Sequence, residues 1–483
     1  MLEALVAAWE RITTLPQLGL YLALAWLLYI LWLCVWIVLQ KREPVATLSW
    51  VMSLALLPYV GFLIYFLLGP QRINRQRLRR WRARARARMG RLSAQDADGS
   101  ACAELSRIGQ ATTGLPPATA TDARWLVDGQ ATYAALVEAI GAARHHIHLE
   151  YYIWNPDQTG QRLLEALVER ARAGVQVRLL LDAVGSSAMR QRHLRALREA
   201  GAEFHWFHPT RFRPFTRPWL NLRTHRKIVV VDGRIGFVGG INVTDEENEA
   251  LSARAYRDLH VRVEGEIVRS LQLTFVEDWV YAATASATAF VDKAYWPDAA
   301  PGTIQAQLLV SGPDSSWEAI HRLHVAAIHE ARQRVWLVTP YFVPGEAARM
   351  ALTSAALGGL DTRLLVPRRS DSALVTLAAR SYFDELLEAG VRVYEYGPRM
   401  LHTKALLTDQ ELCLVGSANF DHRSFRLNFE ATLMLRDKPS CAGLAALLET
   451  EFSHARPVDA ERRRGFWRRR LPEAFARLLS PLL

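Results

Sequence analysis

The residues best suited to chemistry occur twice, in the same order. His225-Arg-Lys227-Ile-Val-Val-Val-Asp232 and His402-Thr-Lys404-Ala-Leu-Leu-Thr-Asp409 both read His-x-Lys-x4-Asp. Each is followed by a turn of small residues ending in Asn, as Gly239-Gly240-Ile-Asn242 and Gly416-Ser417-Ala-Asn419. The chain holds five lysines against 54 arginines, yet two of the five fill the Lys slot of this phrase. A neutral imidazole beside an ammonium, with a Ser hydroxyl and Asn amides nearby, suits an anionic phosphorus centre. Imidazole attacks phosphorus to give a covalent phosphoramidate, which splits one displacement into two. Lys227, Lys404, Asn242, Ser417 and Asn419 would bind the phosphate oxygens and their growing charge. Two histidines supply a nucleophile and a general acid that later acts as base. The scheme needs no cofactor and no metal. Protonated Lys does not ligate zinc, and the sequence offers no His/Cys cluster of zinc-site spacing.

These side chains need strands to hold them. Alternation along a strand puts His225 with Lys227, and His402 with Lys404, on one face, with apolar runs behind them. Asp232-Gly233 then reads as a tight hairpin turn into 235–238. Asp232 and Asp409 complete the catalytic motifs, but their parity is opposite to that of the histidines. They are expected to orient structure rather than touch substrate. His145, His146 and His148 read as plain residues at the start of a strand.

Strand and helix alternate through the rest of the chain. Strands are expected at 146–153, 175–182, 202–207 and 259–263, with helices near 161–173, 189–200 and 267–280. The second half repeats the order, with strands at 334–339, 362–366, 391–396 and 431–435 and helices at 317–330, 345–357, 372–389 and 441–453. This predicts an α/β fold of two pseudo-symmetric α/β/α halves, with the active site at their interface. Residues 99–121, rich in Ala, Thr, Gly and Pro, read as a linker.

Residues 18–39 and 45–68 are uncharged apolar runs, each long enough to cross a bilayer, so a two-helix transmembrane hairpin is expected. Pro58 and Gly61 interrupt the second run and leave a re-entrant hairpin as the alternative. Residues 71–92 hold ten Arg and no acid, nearly the whole net charge of +11. Such a tract places its side of the membrane in the cytoplasm and adheres to anionic headgroups. Two preceding spans favour a lipid partner over nucleic acid. A second basic cluster, Arg462 to Arg464 and Arg468 to Arg470 around Phe466 and Trp467, fits either a surface-lying helix or a solvated tail. Four cysteines without paired spacing do not suggest a disulfide framework. The expected domains are 1–70 (hairpin), 71–122 (basic segment and linker), 123–300 and 301–483 (the two catalytic halves).

The doubled phrase with its Gly-Gly-x-Asn and Gly-Ser-x-Asn tails resembles the phospholipase D superfamily. Further phrases resemble the bacterial cardiolipin synthases over nearly the full length. They include Pro58-Tyr-Val-Gly61, Glu150-Tyr-Tyr-Ile-Trp154, Tyr256-Arg-Asp-Leu-His260, Thr339-Pro-Tyr-Phe-Val-Pro344 and Arg423-Ser-Phe-Arg-Leu-Asn-Phe-Glu430. Thr224 departs from the family phrase, where Asn or Asp is more usual. The resemblance implies a phosphatidyltransferase of the bacterial cytoplasmic membrane, its catalytic part facing the cytoplasm. It would make cardiolipin and glycerol from two phosphatidylglycerols through a phosphatidyl-histidine. Hydrolysis or transfer to another alcohol, with phosphatidylethanolamine as a further donor, and a non-catalytic lipid-binding protein are the alternatives. The resemblance also implies that a later acidic residue orients each histidine. Asp258 is expected to serve His225, and Glu430 to serve His402, each within its own half. Arg423 and Ser424 are expected near the phosphate.

Overall fold

The structure is a computed structural model that describes residues 17–39, 44–68, 101–209, 222–283, 287–315, 317–459 and 470–480. The ten-Arg tract, the turn at Lys41 and Arg42, and Arg462 to Arg469 lie outside the described residues. By internal contacts the chain divides into an amino-terminal unit and a much larger one.

In the amino-terminal unit, α1 (Leu18–Val38) has the length and composition to cross a membrane. The second apolar run is not one helix. It forms α2 (Pro44–Leu56) and α3 (Pro58–Leu68), broken at Leu57. Proline has no N–H to give the helix ladder, and the residue before it is pushed out of helical backbone. Gly61 then lies against the Ser53 carbonyl, which a Cβ there would strike. Ile30, Leu33 and Ile37 of α1 bury with Leu54 and Tyr65, so the three helices share a small core.

The larger unit opens with α4 (Ala101–Thr113), β1 (Ala118–Ala120), β2 (Asp122–Val127), α5 (Asp128–Ala142), β3 (His146–Tyr151) and α6 (Gln158–Arg172). It continues through β4 (Gln176–Asp182), α7 (Arg195–Glu199), β5 (Glu203–Phe207), β6 (Ile228–Val231), β7 (Ile235–Gly239), β8 (Leu259–Glu264) and α8 (Ile267–Ala283). Then follow β9 (Ile304–Ser311), α9 (Ala319–Glu330), β10 (Arg334–Val338), β11 (Phe342–Val343), α10 (Glu346–Leu357) and β12 (Asp361–Pro367). Next come α11 (Ala373–Arg380), α12 (Phe383–Glu388), β13 (Arg392–Tyr396), β14 (Ala405–Thr408), β15 (Leu412–Gly416) and β16 (Phe420–Asp421). The chain closes with α13 (His422–Arg426), β17 (Glu430–Arg436), α14 (Lys438–His454), β18 (Ala455–Pro457) and α15 (Leu471–Leu478).

One sheet runs β2-β8-β7-β6-β3-β4-β5 and the other β1-β9-β17-β15-β14-β10-β12-β13-β18. From β2 to β5 and from β9 to β13 the two follow the same order and sense. In each, four antiparallel pairings are followed by two parallel ones. Alternation decides which way each strand faces. Val229, Val231 and Phe237 turn outward to a core with α5 and α6, while Ile228, Val230 and Val238 turn inward. Leu406 and Leu414 likewise face α9 and α10, while Leu407 and Val415 join the inward set. The inward residues of both sheets form a single apolar cluster.

The stretch expected as a linker is ordered. Leu105 of α4 buries against the core of the second half, and β1 pairs with β9 at that sheet's edge. The Gly and Pro residues beyond it and its few apolar positions hid a helix whose apolar residues dock on another part of the chain. His146 and His148 are buried in β3, each beside Gln272 of α8.

Candidate active site

Both motif histidines precede their strands rather than lie in them. Just ahead of β6, Thr224 bridges to Phe429 in parallel, with His225 N donating to the Phe429 carbonyl at 2.8 Å. Just ahead of β14, Leu401 bridges to Arg257, with His402 N donating to the Arg257 carbonyl at 2.7 Å. Each motif is thus hydrogen-bonded to the segment leading into the other half's acidic strand. Arg226 reinforces the join: its Nε donates to the Glu430 carbonyl at 3.1 Å, and its guanidinium pairs with buried Asp278.

This clasp reverses the expected pairing of acids. Glu430 Oε2 lies 3.0 Å from His225 Nδ1, and Asp258 Oδ2 lies 2.6 Å from His402 Nδ1. Asp258 serves His402, and Glu430 serves His225. The reason is the sheet itself. Within one half, β7 lies between β6 and β8, so those strands are about 10 Å apart. Across the halves the two segments are direct neighbours.

Burial shapes the charges. His225 and His402 are both pushed below the usual imidazole range, first by burial and then by nearby positive charge, with their carboxylates opposing. Both imidazoles are therefore neutral near pH 7. Lys227 Nζ donates to the His225 carbonyl at 2.8 Å. Its pKa is lowered to about 7 by burial and by Lys404. Lys404 is also lowered by burial, but its Nζ reaches the His402 carbonyl and lies 3.3 Å from Asp258 Oδ2. Lys227 feels Lys404, and His402 feels both Lys227 and His225, so the two motifs share one electrostatic environment.

The carboxylates differ. Burial would raise Glu430, but His225, Lys227 and the Ser417 hydroxyl outweigh it and leave the group below its usual range. Ser417 Oγ donates to Glu430 Oε2 at 2.5 Å, and Asn428 Nδ2 lies 3.3 Å from Oε1. Asp258 is raised to about 6 by burial despite Lys404. Gly240 occupies the place that corresponds to Ser417, and a Cβ there would strike the Asp258 carboxylate.

Sequence reasoning missed Glu247. It is buried, accepts from Asn242 N at 3.0 Å and Asn242 Nδ2 at 2.6 Å, and lies 3.8 Å from His402 Nδ1. Asn419 N instead donates to Ser424 Oγ at 3.1 Å. Glu247 and Ser424 stand at the same offset from their asparagines, a repeat the sequence already contained. Of the aromatic phrases, the Tyr152 ring packs 4.9 Å from the His225 ring, while Trp154 is fully buried. Tyr256 sits 5.7 Å from the His402 ring.

Asp232 and Asp409 do not join this group. Asp232 accepts from the backbone N–H groups of Arg144, His145 and His146 at 2.8–2.9 Å. Asp409 does the same for Arg332, Gln333 and Arg334. They clamp their hairpin turns to the start of β3 and β10. Glu247, Asp258 and His402 lie close enough to hold a cation. The Lys404 ammonium already stands 3.3 Å from Asp258 Oδ2, and Asn242 donates to Glu247.

Residues 136–279 and 325–456 match the family of cardiolipin synthase phospholipase D-like domains, and residues 27–70 match the phospholipase D-nuclease N-terminal family. The chain is 40% identical over 464 residues to a cardiolipin synthase of Geobacillus thermodenitrificans, covering 92% of this chain and 90% of that protein. It is 36% identical to cardiolipin synthase 1 of Bacillus anthracis, covering 98% and 96%. Among solved structures, phosphatidylserine synthase of Haemophilus influenzae is similar in fold, with TM-score 0.60 and 15% identity over 79% of this chain and all of that one.

Proposed function

Because the chain belongs to the cardiolipin synthases of the phospholipase D superfamily and is a phosphatidyltransferase, we propose that it joins two phosphatidylglycerols through a phosphatidyl-histidine formed on His225. The observation that carries this is the crossed pair of dyads. Each fixes a neutral imidazole through Nδ1 and leaves Nε2 without a protein hydrogen bond among the described residues.

The phosphodiester anion sits between Lys227 and Lys404, within reach of the Asn242 and Asn419 amides. His225 Nε2 attacks phosphorus, and the P–O bond to the glycerol headgroup breaks. His402 gives that oxygen its proton, and glycerol leaves. His402 then takes a proton from a headgroup hydroxyl of the second phosphatidylglycerol. That oxygen attacks phosphorus, the P–N bond breaks, and cardiolipin forms with His225 restored. The division of labour follows the carboxylates. Two of them, Asp258 and Glu247, flank His402 and stabilise its imidazolium once the anionic substrate arrives. His225 has one carboxylate, and burial with the lysines keeps it neutral and nucleophilic; the same forces hold His402 neutral until the anionic substrate arrives.

In this reading residues 1–70 anchor the enzyme as a hairpin in the bacterial cytoplasmic membrane. The ten-Arg tract holds the catalytic part on the cytoplasmic, anionic face. Residues 123–300 and 301–483 are two pseudo-symmetric halves. The substrates and partners are phosphatidylglycerol, cardiolipin and the membrane surface, with no role for nucleic acid.

Incubation of the reconstituted protein with headgroup-labelled phosphatidylglycerol tests the reaction. Cardiolipin with free glycerol is expected. Phosphatidic acid as the main lipid product would mean hydrolysis. The assignment of histidines is tested with a phosphatidyl ester of p-nitrophenol, whose leaving group needs no proton. His402→Ala should still give a burst of p-nitrophenol, whereas His225→Ala should give none. On phosphatidylglycerol each should lose at least about 10²–10⁴-fold in turnover.

A further inference from the structure

The last helix faces the wrong way for a soluble protein. A surface helix buries its apolar stripe and shows water its polar face. In α15 the buried residues are Ala476 and, just past its end, Ser480, while Phe475, Leu478 and Leu479 are 61%, 74% and 42% exposed. The inward contacts are specific. Ser480 Oγ pairs with the Tyr382 hydroxyl at 3.1 Å, the Arg477 guanidinium lies 4.5 Å from the Tyr382 ring centroid, and Ala476 joins the core of the second half. The helix is thus fixed by small and polar groups with its large apolar side chains turned out.

We propose that this outward face of α15 is a bilayer-docking surface that sets the catalytic unit on anionic lipid. Charge selects the occupant. Six arginines fall between Arg462 and Arg470, leading directly into the helix, with Phe466 and Trp467 among them. Apolar side chains beside a dense basic run match the interfacial region of a membrane carrying anionic headgroups. The surface also leads toward the site. α15 packs along α11. At the start of α11, Asp371 accepts from the Tyr341 hydroxyl at 2.6 Å, and the same carboxylate acts on Tyr256, which stands beside His402. Leu374, in the first turn of α11, is exposed as well. With α11 about 12 Å long, docking at α15 holds the Tyr256 and His402 side of the site close to the plane from which lipid headgroups come. This rests on the reading above that the substrate is a bilayer phospholipid.

The test places spin labels on the full-length protein at Phe475→Cys, Leu478→Cys and, as a control in the first half, Glu199→Cys. The background replaces Cys34 and Cys102 by Ser. Vesicles contain phosphatidylglycerol and phosphatidylcholine. The labels at 475 and 478 should lie about 5–10 Å below the headgroup plane, accessible to oxygen and shielded from a water-soluble nickel chelate. The control should stay in water. Equal water exposure at all three positions would overturn the proposal. So would dipolar broadening between copies, or shielding from both oxygen and nickel, since a second copy or the chain itself would then cover the face. Depth is read without turnover, so it stands apart from the identity of the reaction. In a second arm, the Phe475→Glu/Leu478→Glu double variant should turn over lipid in vesicles about tenfold more slowly or worse. Its rate on dispersed short-chain phosphatidylglycerol should fall less, and an equal fall on both would also count against docking.

Discussion

The two histidine–carboxylate pairs arise from the same phrase but differ in what surrounds the acid. Glu430 is held by the Ser417 hydroxyl and the Asn428 amide, and His225, Lys227 and Ser417 together keep it below its usual range despite burial. Asp258 has no such hydroxyl, because Gly240 leaves room for nothing but the carboxylate itself. It meets the Lys404 ammonium instead, yet burial still raises it to about 6. In the proposed reaction the first pair presents a neutral imidazole for attack, kept neutral by burial and the lysines against the pull of Glu430. In the same proposal the second pair carries the proton once the anionic substrate is bound. Matching topology with unmatched second partners is how a duplicated motif can divide two chemical roles, and because each pair draws one member from each half, neither half holds a complete dyad.

The largest effects should come from breaking that crossing. Glu430→Gln and Asp258→Asn should each slow turnover of phosphatidylglycerol by about 10²–10⁴-fold, because a misoriented imidazole loses most of its acid–base value. The p-nitrophenyl ester separates them. Asp258→Asn should retain most of the burst, since its partner His402 has no proton to deliver there. Glu430→Gln should lose it, because its partner His225 makes the attack. Pairing within each half requires the opposite result, so the burst amplitude decides between the two arrangements.

The lysines sharpen the same contrast on a smaller scale. Lys227 has no carboxylate bond and is lowered to about 7, whereas Lys404 shares the Asp258 oxygen. A lowered lysine keeps its charge below its pKa and loses it above. In the free enzyme, then, kcat/KM should decline above about pH 7, by up to about tenfold per pH unit. Lys227→Arg should move that alkaline limb upward, because guanidinium stays charged. Lys404→Arg should leave the limb where it is. A pH profile of kcat/KM for the three proteins reads this directly.

Much of this was legible in the residues. Alternation and the small-residue turns located β3 to β8 and most of their counterparts, and the doubled His-x-Lys named the chemistry. What stayed hidden was non-local. The partner of His225 is set by strand neighbours in the other half, which nothing near residue 225 encodes. Glu430 is as close to His402 in the chain as proximity alone would suggest, and proximity pointed the wrong way. α4 and β1 looked like linker because their few apolar residues make sense only against β9 and α9, where they dock. The expected helix at 372–389 is two, α11 and α12, parted at Ser381 and Tyr382, where Tyr382 turns in to hold Ser480. Glu247 was readable only by laying the two asparagine tails side by side.

The smallest catalytic effect should come from the residues that complete the motif by sequence. Asp232 and Asp409 both hold backbone at φ 53°, the left-handed region, where Asp and Asn are tolerated and Ala is strained. Each carboxylate also gathers three backbone N–H groups that would otherwise lack partners at the start of β3 or β10. Asp232→Ala and Asp409→Ala should therefore lower stability by about 1–3 kcal/mol each, seen as a reduced urea midpoint, with kcat of the folded protein near that of the parent. The Asn variants should lose less, since they keep the favoured backbone and one acceptor oxygen. The two substitutions should behave alike, because here, unlike at the dyads, the halves use the same device in the same way. A collapse of kcat at an unchanged urea midpoint would mean that the third motif residue acts on the substrate after all.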